Sequence, residues 1–277
     1  MFVLRLLIIC KGSRPTGASE ELIIMTHINE KNKVDVLSVS FDNVTLFDMQ
    51  HNINQFFNTQ QHQNMFIVTA NPEIVYYAFH HKSYQQLINK ADFVIPDGIG
   101  VVLASRILKT PLKDRVPGIE LMESCLDIAN YKQQKVFLLG AEDSIVQQAQ
   151  HNIEQQYPNI EIASHHGYIE LDDEIVAKRI QDFQPDYVFV GMGYPKQEQW
   201  IAKHQHAFNQ TLFMGVGGAI EVFSGTKKRA PMLMRRLNLE WVYRLLIDWK
   251  RIGRMAVIPK YLFSVFKSQN MFKRKHV

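Results

Sequence analysis

Short apolar runs, almost unbroken by polar residues, alternate along this chain with stretches of helical spacing. Val-Phe-Leu-Leu at 136–139 and Tyr-Val-Phe-Val at 187–190 show no apolar/polar alternation. A strand with one wet face alternates, whereas a strand covered on both faces reads as a continuous apolar run. Strands are therefore predicted over 34–39, 65–70, 91–96, 135–139, 160–164, 186–190 and 211–216. Helices are predicted over 73–89, 119–131, 144–157 and 196–206. Doubly covered strands with helices between them define an α/β fold: a Rossmann-like, largely parallel sheet flanked by helices. No internal repeat, low-complexity segment or interdomain linker interrupts it.

The pattern changes near Pro231. No strand-like run follows, and apolar residues recur at helical spacing through Leu237, Trp241, Leu245, Trp249 and Ile252, with Pro259 placed to break the segment into two helices. The fold thus carries a C-terminal helical appendage. Residues 227–277 hold 14 lysines and arginines against two acids, Glu240 and Asp248, a net of +12. This leaves 17 basic and 25 acidic residues, a net of −8, to residues 1–226. An acidic body with a basic tail points to a separate anionic partner for the tail. The chain divides into a poorly ordered extension (1–30), an α/β domain (31–226) and a basic membrane-docking tail (227–277). Met25 is an alternative start. No apolar run approaches the ~20 residues of a membrane-spanning helix. Cys10 and Cys125 lack disulfide-scaffold or metal spacing, which fits a reducing, cytoplasmic compartment.

In parallel sheets, ligands bind beyond the carboxyl ends of the strands, so the strand-to-helix turns are where chemistry is expected. The first is Thr69-Ala70-Asn71-Pro72-Glu73. Asn71 suits a helix N-cap with Pro72 behind it, and Thr69 and Asn71 equally suit polar contacts to a sugar or nucleotide. In Pro96-Asp97-Gly98-Ile99-Gly100, Asp97 is either an N-cap or a carboxylate base beside glycines that let a ligand approach. Arg115, in the polar loop before Pro117-Gly118, is either a solvated arginine or a bidentate ligand for phosphate. The fourth region pairs 191–198, with Gly193, Lys196 and Gln197, with the turn Gly215-Val216-Gly217-Gly218. Glycine turns opening onto helices favour a nucleotide or pyrophosphate.

Missing patterns restrict the chemistry further. The 215–220 turn lacks the third glycine of the dinucleotide fingerprint, so an NAD enzyme is disfavoured. Neither a phosphate-loop motif nor a Gly-x-Ser-x-Gly elbow occurs. No Asp-x-Asp occurs, which argues against a metal held by that pair, and the His80-His81 and His165-His166 pairs lack zinc spacing.

Taken in order, Thr-x-Asn-Pro-Glu (69–73), Pro-Asp-Gly-x-Gly (96–100), Arg-Val-Pro-Gly (115–118), Gly-x-Pro-Lys-Gln-Glu-x-Trp (193–200), Gly-Val-Gly (215–217) and Lys-Arg-Ala-Pro (228–231) resemble the WecG/TagA/CpsF family of bacterial glycosyltransferases. So does the lead-in at 34–45. The resemblance spans residues 34–251 and is nearest the teichoic-acid branch, the N-acetylmannosaminyltransferases. It implies a UDP-sugar donor, a polyprenyl-pyrophosphate-linked acceptor and an inverting displacement without metal or other cofactor. It implies Asp97 as catalytic base, with Thr69, Asn71, Arg115, Gln197, Gly215 and Gly217 as substrate-binding residues. Arg229, Arg236, Arg244 and Arg251 are expected at lipid phosphates or at a substrate pyrophosphate. An enzyme of this kind sits on the inner face of the cell membrane, and a homo-oligomer is compatible with it. Two other readings are a nucleotide-sugar enzyme such as an epimerase, which should carry a dinucleotide fingerprint, and a non-catalytic nucleotide module whose tail binds nucleic acid. The expectation here is an enzyme with no nucleic-acid partner.

Overall fold

The structure, a computed structural model, describes residues 33–59, 63–237, 239–247 and 257–275. The expected extension over 1–30, with Met25 and Cys10, lies outside them, as do Trp249, Arg251 and Ile252.

The run expected as one strand at 34–39 folds as two, β1 (Lys33–Val36) and β2 (Val39–Asp42), paired as a separate two-stranded sheet. Leu37 and Ser38 turn the chain with φ of 49° and 66°. Positive φ at both central residues is the hairpin geometry whose twist matches its strands. Neither residue is the asparagine or glycine that marks such a turn, so the sequence carries no sign of it. Asp42 fastens the hairpin to the main sheet by accepting the Val94 N–H at 2.8 Å.

That main sheet comprises β3 (Met65–Ala70), β4 (Phe93–Pro96), β5 (Lys135–Gly140), β6 (Glu161–His165), β7 (Tyr187–Gly191) and β8 (Leu212–Gly215), in the order β4-β3-β8-β7-β5-β6. Every neighbouring pair is parallel. Alternate strand residues feed two separate cores. Phe66, Val68, Phe137, Leu139, Val188, Val190 and Phe213 enter one; Met65, Ile67, Val136, Leu138, Tyr187, Phe189, Leu212 and Met214 enter the other. This double burial is the physical reason the inner strands are almost wholly apolar, while the edge strand β6 (Glu-Ile-Ala-Ser-His) is not.

The covering helices are α1 (Leu46–Asn58), α2 (Pro72–His80), α3 (Lys82–Ile88), α4 (Ile99–Ile107), α5 (Gly118–Lys132), α6 (Asp143–Gln156), α7 (Glu174–Phe183), α8 (Lys196–His204) and the single-turn α9 (Ala219–Phe223). The tail contributes α10 (Met232–Arg236), α11 (Glu240–Ile247) and α12 (Val257–Lys275). The helix expected over 73–89 breaks at His81. The His80 and His81 rings turn back onto the Tyr76 and Tyr77 carbonyls, each at 2.8 Å, and cap the end of α2. Histidines near a helix C-terminus meet carbonyls that have no intrahelical partner.

Pro259, expected to break the tail, instead sits third in α12. The first turn of a helix needs no N–H from that position, so the ring is tolerated. α12 lies against α2 and α4. Tyr261 and Val265 are fully buried in the first core, and Gln269 donates to the Ile107 carbonyl. The last helix is therefore part of the body, and the basic segment before it is attached at both ends.

At the carboxyl edge the strand ends approach closely. A Cβ at Gly140 would stand 2.5 Å from the Gly191 carbonyl oxygen, and one at Gly191 would stand 2.8 Å from the Gly217 carbonyl oxygen. Backbone obstructs both positions, so nothing flexible can yield. Gly140→Ala is expected to lower the unfolding free energy by about 1–3 kcal/mol through overpacking, read as a reduced urea midpoint at unchanged m.

Candidate active site

Thr69 ends β3 almost fully buried, and its hydroxyl donates to the Gly215 carbonyl at 2.8 Å. This bond ties two adjacent strand ends together. On the other side, a Cβ at Gly118 would lie 3.1 Å from the Thr69 methyl group, so α5 begins against the same side chain. Asn71 does cap α2: its Oδ1 accepts the Ile74 N–H at 3.0 Å. Pro72 follows at the first helical position and packs on Gly100, where a Cβ would stand 2.7 Å from its Cγ.

Asp97 lies just beyond β4, and its N–H donates to the Ala70 carbonyl at 3.0 Å. The capping reading of Asp97 does not hold, because the N-cap of α4 is Gly98, with φ of 103° and no side-chain cap. The carboxylate thus stands at the strand end, half-buried, one residue before a glycine that only a residue without Cβ adopts easily. The loop carrying Arg115 is drawn to the same edge by the Val116 N–H, which donates to the Pro96 carbonyl at 2.9 Å. One Arg115 Nη donates to the Arg235 carbonyl at 3.2 Å, so this arginine reaches the tail as well as the strand ends.

Gln197 is 2% exposed and lies over β8. Its Oε1 accepts the Gly217 N–H at 3.1 Å, and its Nε2 donates to Glu198 Oε1 at 2.6 Å. Gly215 lies directly beneath the amide, where a Cβ would come within 2.7 Å of Nε2. Gly217 has φ of 50°, and a Cβ there or at Gly193 would meet nothing within 4 Å. Both glycines face open space above the strand ends. The Gly217 N–H itself is taken by Gln197, so it is not one of the donors a phosphate would use.

Thr69, Asn71, Asp97, Arg115, Gln197, Gly215 and Gly217 therefore collect along the ends of β3, β4 and β8. The four tail arginines do not share one environment. Arg229 is held by α5, its two Nη atoms meeting Glu123 at 2.6 Å and Glu120 at 2.9 Å. Arg236 is exposed at the end of α10. Arg244 belongs to α11, and its side chain, like all of Arg251, lies outside the described residues.

Glu198 had no predicted role. As the third residue of α8 it reads in sequence as an ordinary first-turn acid, yet it is fully buried. Burial raises its carboxyl above the ordinary value, and the bond from Gln197 offsets only part of this. At the far end of the strand row, a polar cleft of about 510 Å³ is lined by Asp143, Gln147, Gln150, Ser164, His165, His166 and Arg179. The second histidine pair, expected as a surface or structural feature, belongs to this cleft.

The fold defines the class: an α/β protein whose six-stranded parallel sheet is flanked by helices, with polar residues and glycines gathered at its strand ends. A profile of the family described as Glycosyl transferase WecG/TagA/CpsF matches residues 34–275, and the chain belongs to that family. It is 57% identical over 242 residues to a protein of Staphylococcus aureus strain NCTC 8325 / PS 47, covering 87% of this chain and 95% of that one. That relative is named N-acetylglucosaminyldiphosphoundecaprenol N-acetyl-beta-D-mannosaminyltransferase. Proteins of the same name from strains MW2 and MRSA252 are 56% identical over the same lengths.

Because Glu198 has a raised value in the folded state, the fold retains a proton that the unfolded chain releases above about 4.5. Stability contributed by this group therefore falls as pH rises from about 4.5 towards the raised folded value. Glu198→Gln removes the titration. Its unfolding free energy should gain on that of the parent progressively through this window, and parallel curves from pH 4 to pH 9 would contradict a neutral buried carboxyl.

Proposed function

We propose that this chain moves N-acetylmannosamine from UDP-N-acetylmannosamine to the 4-hydroxyl of undecaprenyl-pyrophosphoryl-N-acetylglucosamine, inverting the anomeric centre. This is an early step in making the wall teichoic acid linkage unit. The observation that carries the reading is the 57% identity across 95% of the length of a relative whose name states transfer of N-acetyl-β-D-mannosamine to N-acetylglucosaminyldiphosphoundecaprenol. The crevice supports it with a carboxylate, a buried amide and an arginine along adjoining strand ends.

In a single displacement, the acceptor O4 bonds to donor C1 while the bond from C1 to the β-phosphate oxygen breaks. Asp97 takes the proton from O4 and ends neutral, and UDP leaves with the electron pair. A positioned base of this kind contributes about 10²–10⁴-fold. Thr69, whose hydrogen is engaged by Gly215, meets the donor as an acceptor, and Asn71 and Gln197 frame the sugar. Arg115 and tail arginines such as Arg236 meet the charge developing on the diphosphate, which needs no metal or other cofactor.

Among the described residues, no helix is long and apolar enough to cross a membrane. In this reading the enzyme works at the cytoplasmic face, bound peripherally through the segment that contains α10 and α11. Met232, Leu233, Leu237, Leu239 and Trp241 are exposed there beside Arg235 and Arg236. Apolar side chains among basic ones suit an anionic interface, where each cation adds about 1 kcal/mol.

The test is transfer from UDP-N-acetylmannosamine to a short-chain lipid acceptor. Asp97→Asn should lower kcat by about 10²-fold or more, and EDTA should leave the parent rate unchanged. Full activity in Asp97→Asn eliminates it as the base, and faster turnover with a mannosaminuronic acid or glucose donor changes the assigned sugar. Because α12 belongs to the core, the membrane test substitutes exposed residues instead: Arg236→Glu with Leu233→Ser and Leu237→Ser should weaken sedimentation with anionic vesicles, and unchanged sedimentation would remove this segment from membrane binding.

A further inference from the structure

Glutamine amides have two orientations of nearly equal shape, and a site that uses one must exclude the other. Gln197 is buried over Gly215, with its Oε1 on the Gly217 N–H and its Nε2 on Glu198 Oε1. Flipping the amide would set Nε2 against the Gly217 N–H, two donors facing each other. It would also set Oε1 against a carboxyl oxygen that now accepts a hydrogen bond. The first conflict is local to the 215–218 turn. The second exists only because Glu198 is there.

Glu198 presents no surface to the crevice. It is completely buried, with Trp200 and Ile201 buried beside it. Its Oε2 makes no hydrogen bond of ordinary geometry, and the buried Tyr84 hydroxyl, equally without one, is the group that interacts with this carboxyl from the other side. A buried carboxyl with one unsatisfied oxygen costs stability rather than supplying it. Its contact of ordinary hydrogen-bond geometry runs through Gln197 to the turn at the end of β8.

We propose that Glu198 is a positioning residue: it fixes the orientation of the Gln197 amide and, through it, the conformation of the Gly215–Gly218 turn beneath the reacting sugar. This rests on the glycosyl-transfer reading for its effect on turnover, though not for its effect on the turn. What Glu198 supplies is an acceptor oxygen at a fixed place, not a charge, so a neutral amide of the same shape can replace it.

The experiment compares the full chain with Glu198→Gln and Glu198→Leu. Each is followed by transfer kinetics and by hydrogen exchange at the Gly217 amide. Glu198→Leu fills the same space without an acceptor. It should lower kcat by about tenfold or more with KM changed by less than about threefold, the pattern of a displaced reacting group. Exchange at Gly217 should rise by at least about tenfold while exchange in β3 and β7 stays as in the parent. Glu198→Gln should restore most of the lost kcat and the Gly217 protection. The proposal is overturned if Glu198→Leu keeps parental kcat and Gly217 protection, or if Glu198→Gln is as damaged as Glu198→Leu. Where Glu198→Leu does not fold, Glu198→Gln decides by itself: retained Gly217 protection supports the proposal and its loss overturns it. A parent that turns over no UDP-N-acetylmannosamine defeats the reading of function, while the exchange comparison still judges the role of Glu198.

Discussion

Burial of the six-stranded sheet on both faces governs this molecule. With Phe66 and Val68 directed to one core and Met65 and Ile67 to the other, the inner strands leave no side chain for chemistry along their middles. Only the carboxyl ends, where the chain leaves the sheet, present polar groups and accessible backbone. Thr69, Asp97, Gln197 and the glycines of the 215–218 turn are there for that reason. The same burial makes the edge intolerant: at Gly140 the obstructing atoms are main chain of Gly191, and at Gly191 the Gly217 carbonyl joins the Ile220 side chain.

Contacts far apart in sequence set the geometry of this edge. Thr69 bonds to Gly215 across 146 residues, and Gln197 bonds to Gly217 across 20. Neither bond involves an ionised group, so neither depends strongly on salt. The carboxyl joined to Gln197, that of Glu198, lies in an environment that favours its neutral form.

Much of this arrangement was legible in the sequence because strand ends are. Continuous apolar runs located β3 to β8, and the polar residue or glycine after each run named the crevice: Thr69 and Asn71, Asp97, Gln197, Gly215 and Gly217. Order within the sheet was not legible, since β8 enters beside β3 by tertiary pairing alone. The Leu37–Ser38 turn escaped notice because it uses residues with no turn preference. Glu198 escaped because a glutamate in the first turn of a helix is ordinarily solvated; only the burial of α8 alters its chemistry. Arg229 read as one more tail cation, and its ties to Glu120 and Glu123 depend on a helix more than a hundred residues earlier. Pro259 read as a breaker, and its place in a first turn depends on where α12 begins.

The attachment of the basic segment at both ends changes what it can do mechanically. Arg229 clasps α5 at one end, and Tyr261 and Val265 are set into the core at the other. A tail free at one end behaves as a leash, letting the body roll and tilt beneath its anchor. A segment fixed at two separated points behaves as a hinge plate: resting it on a flat surface restricts both height and tilt. Under the membrane reading proposed above, the strand-end crevice would keep one set attitude to the bilayer.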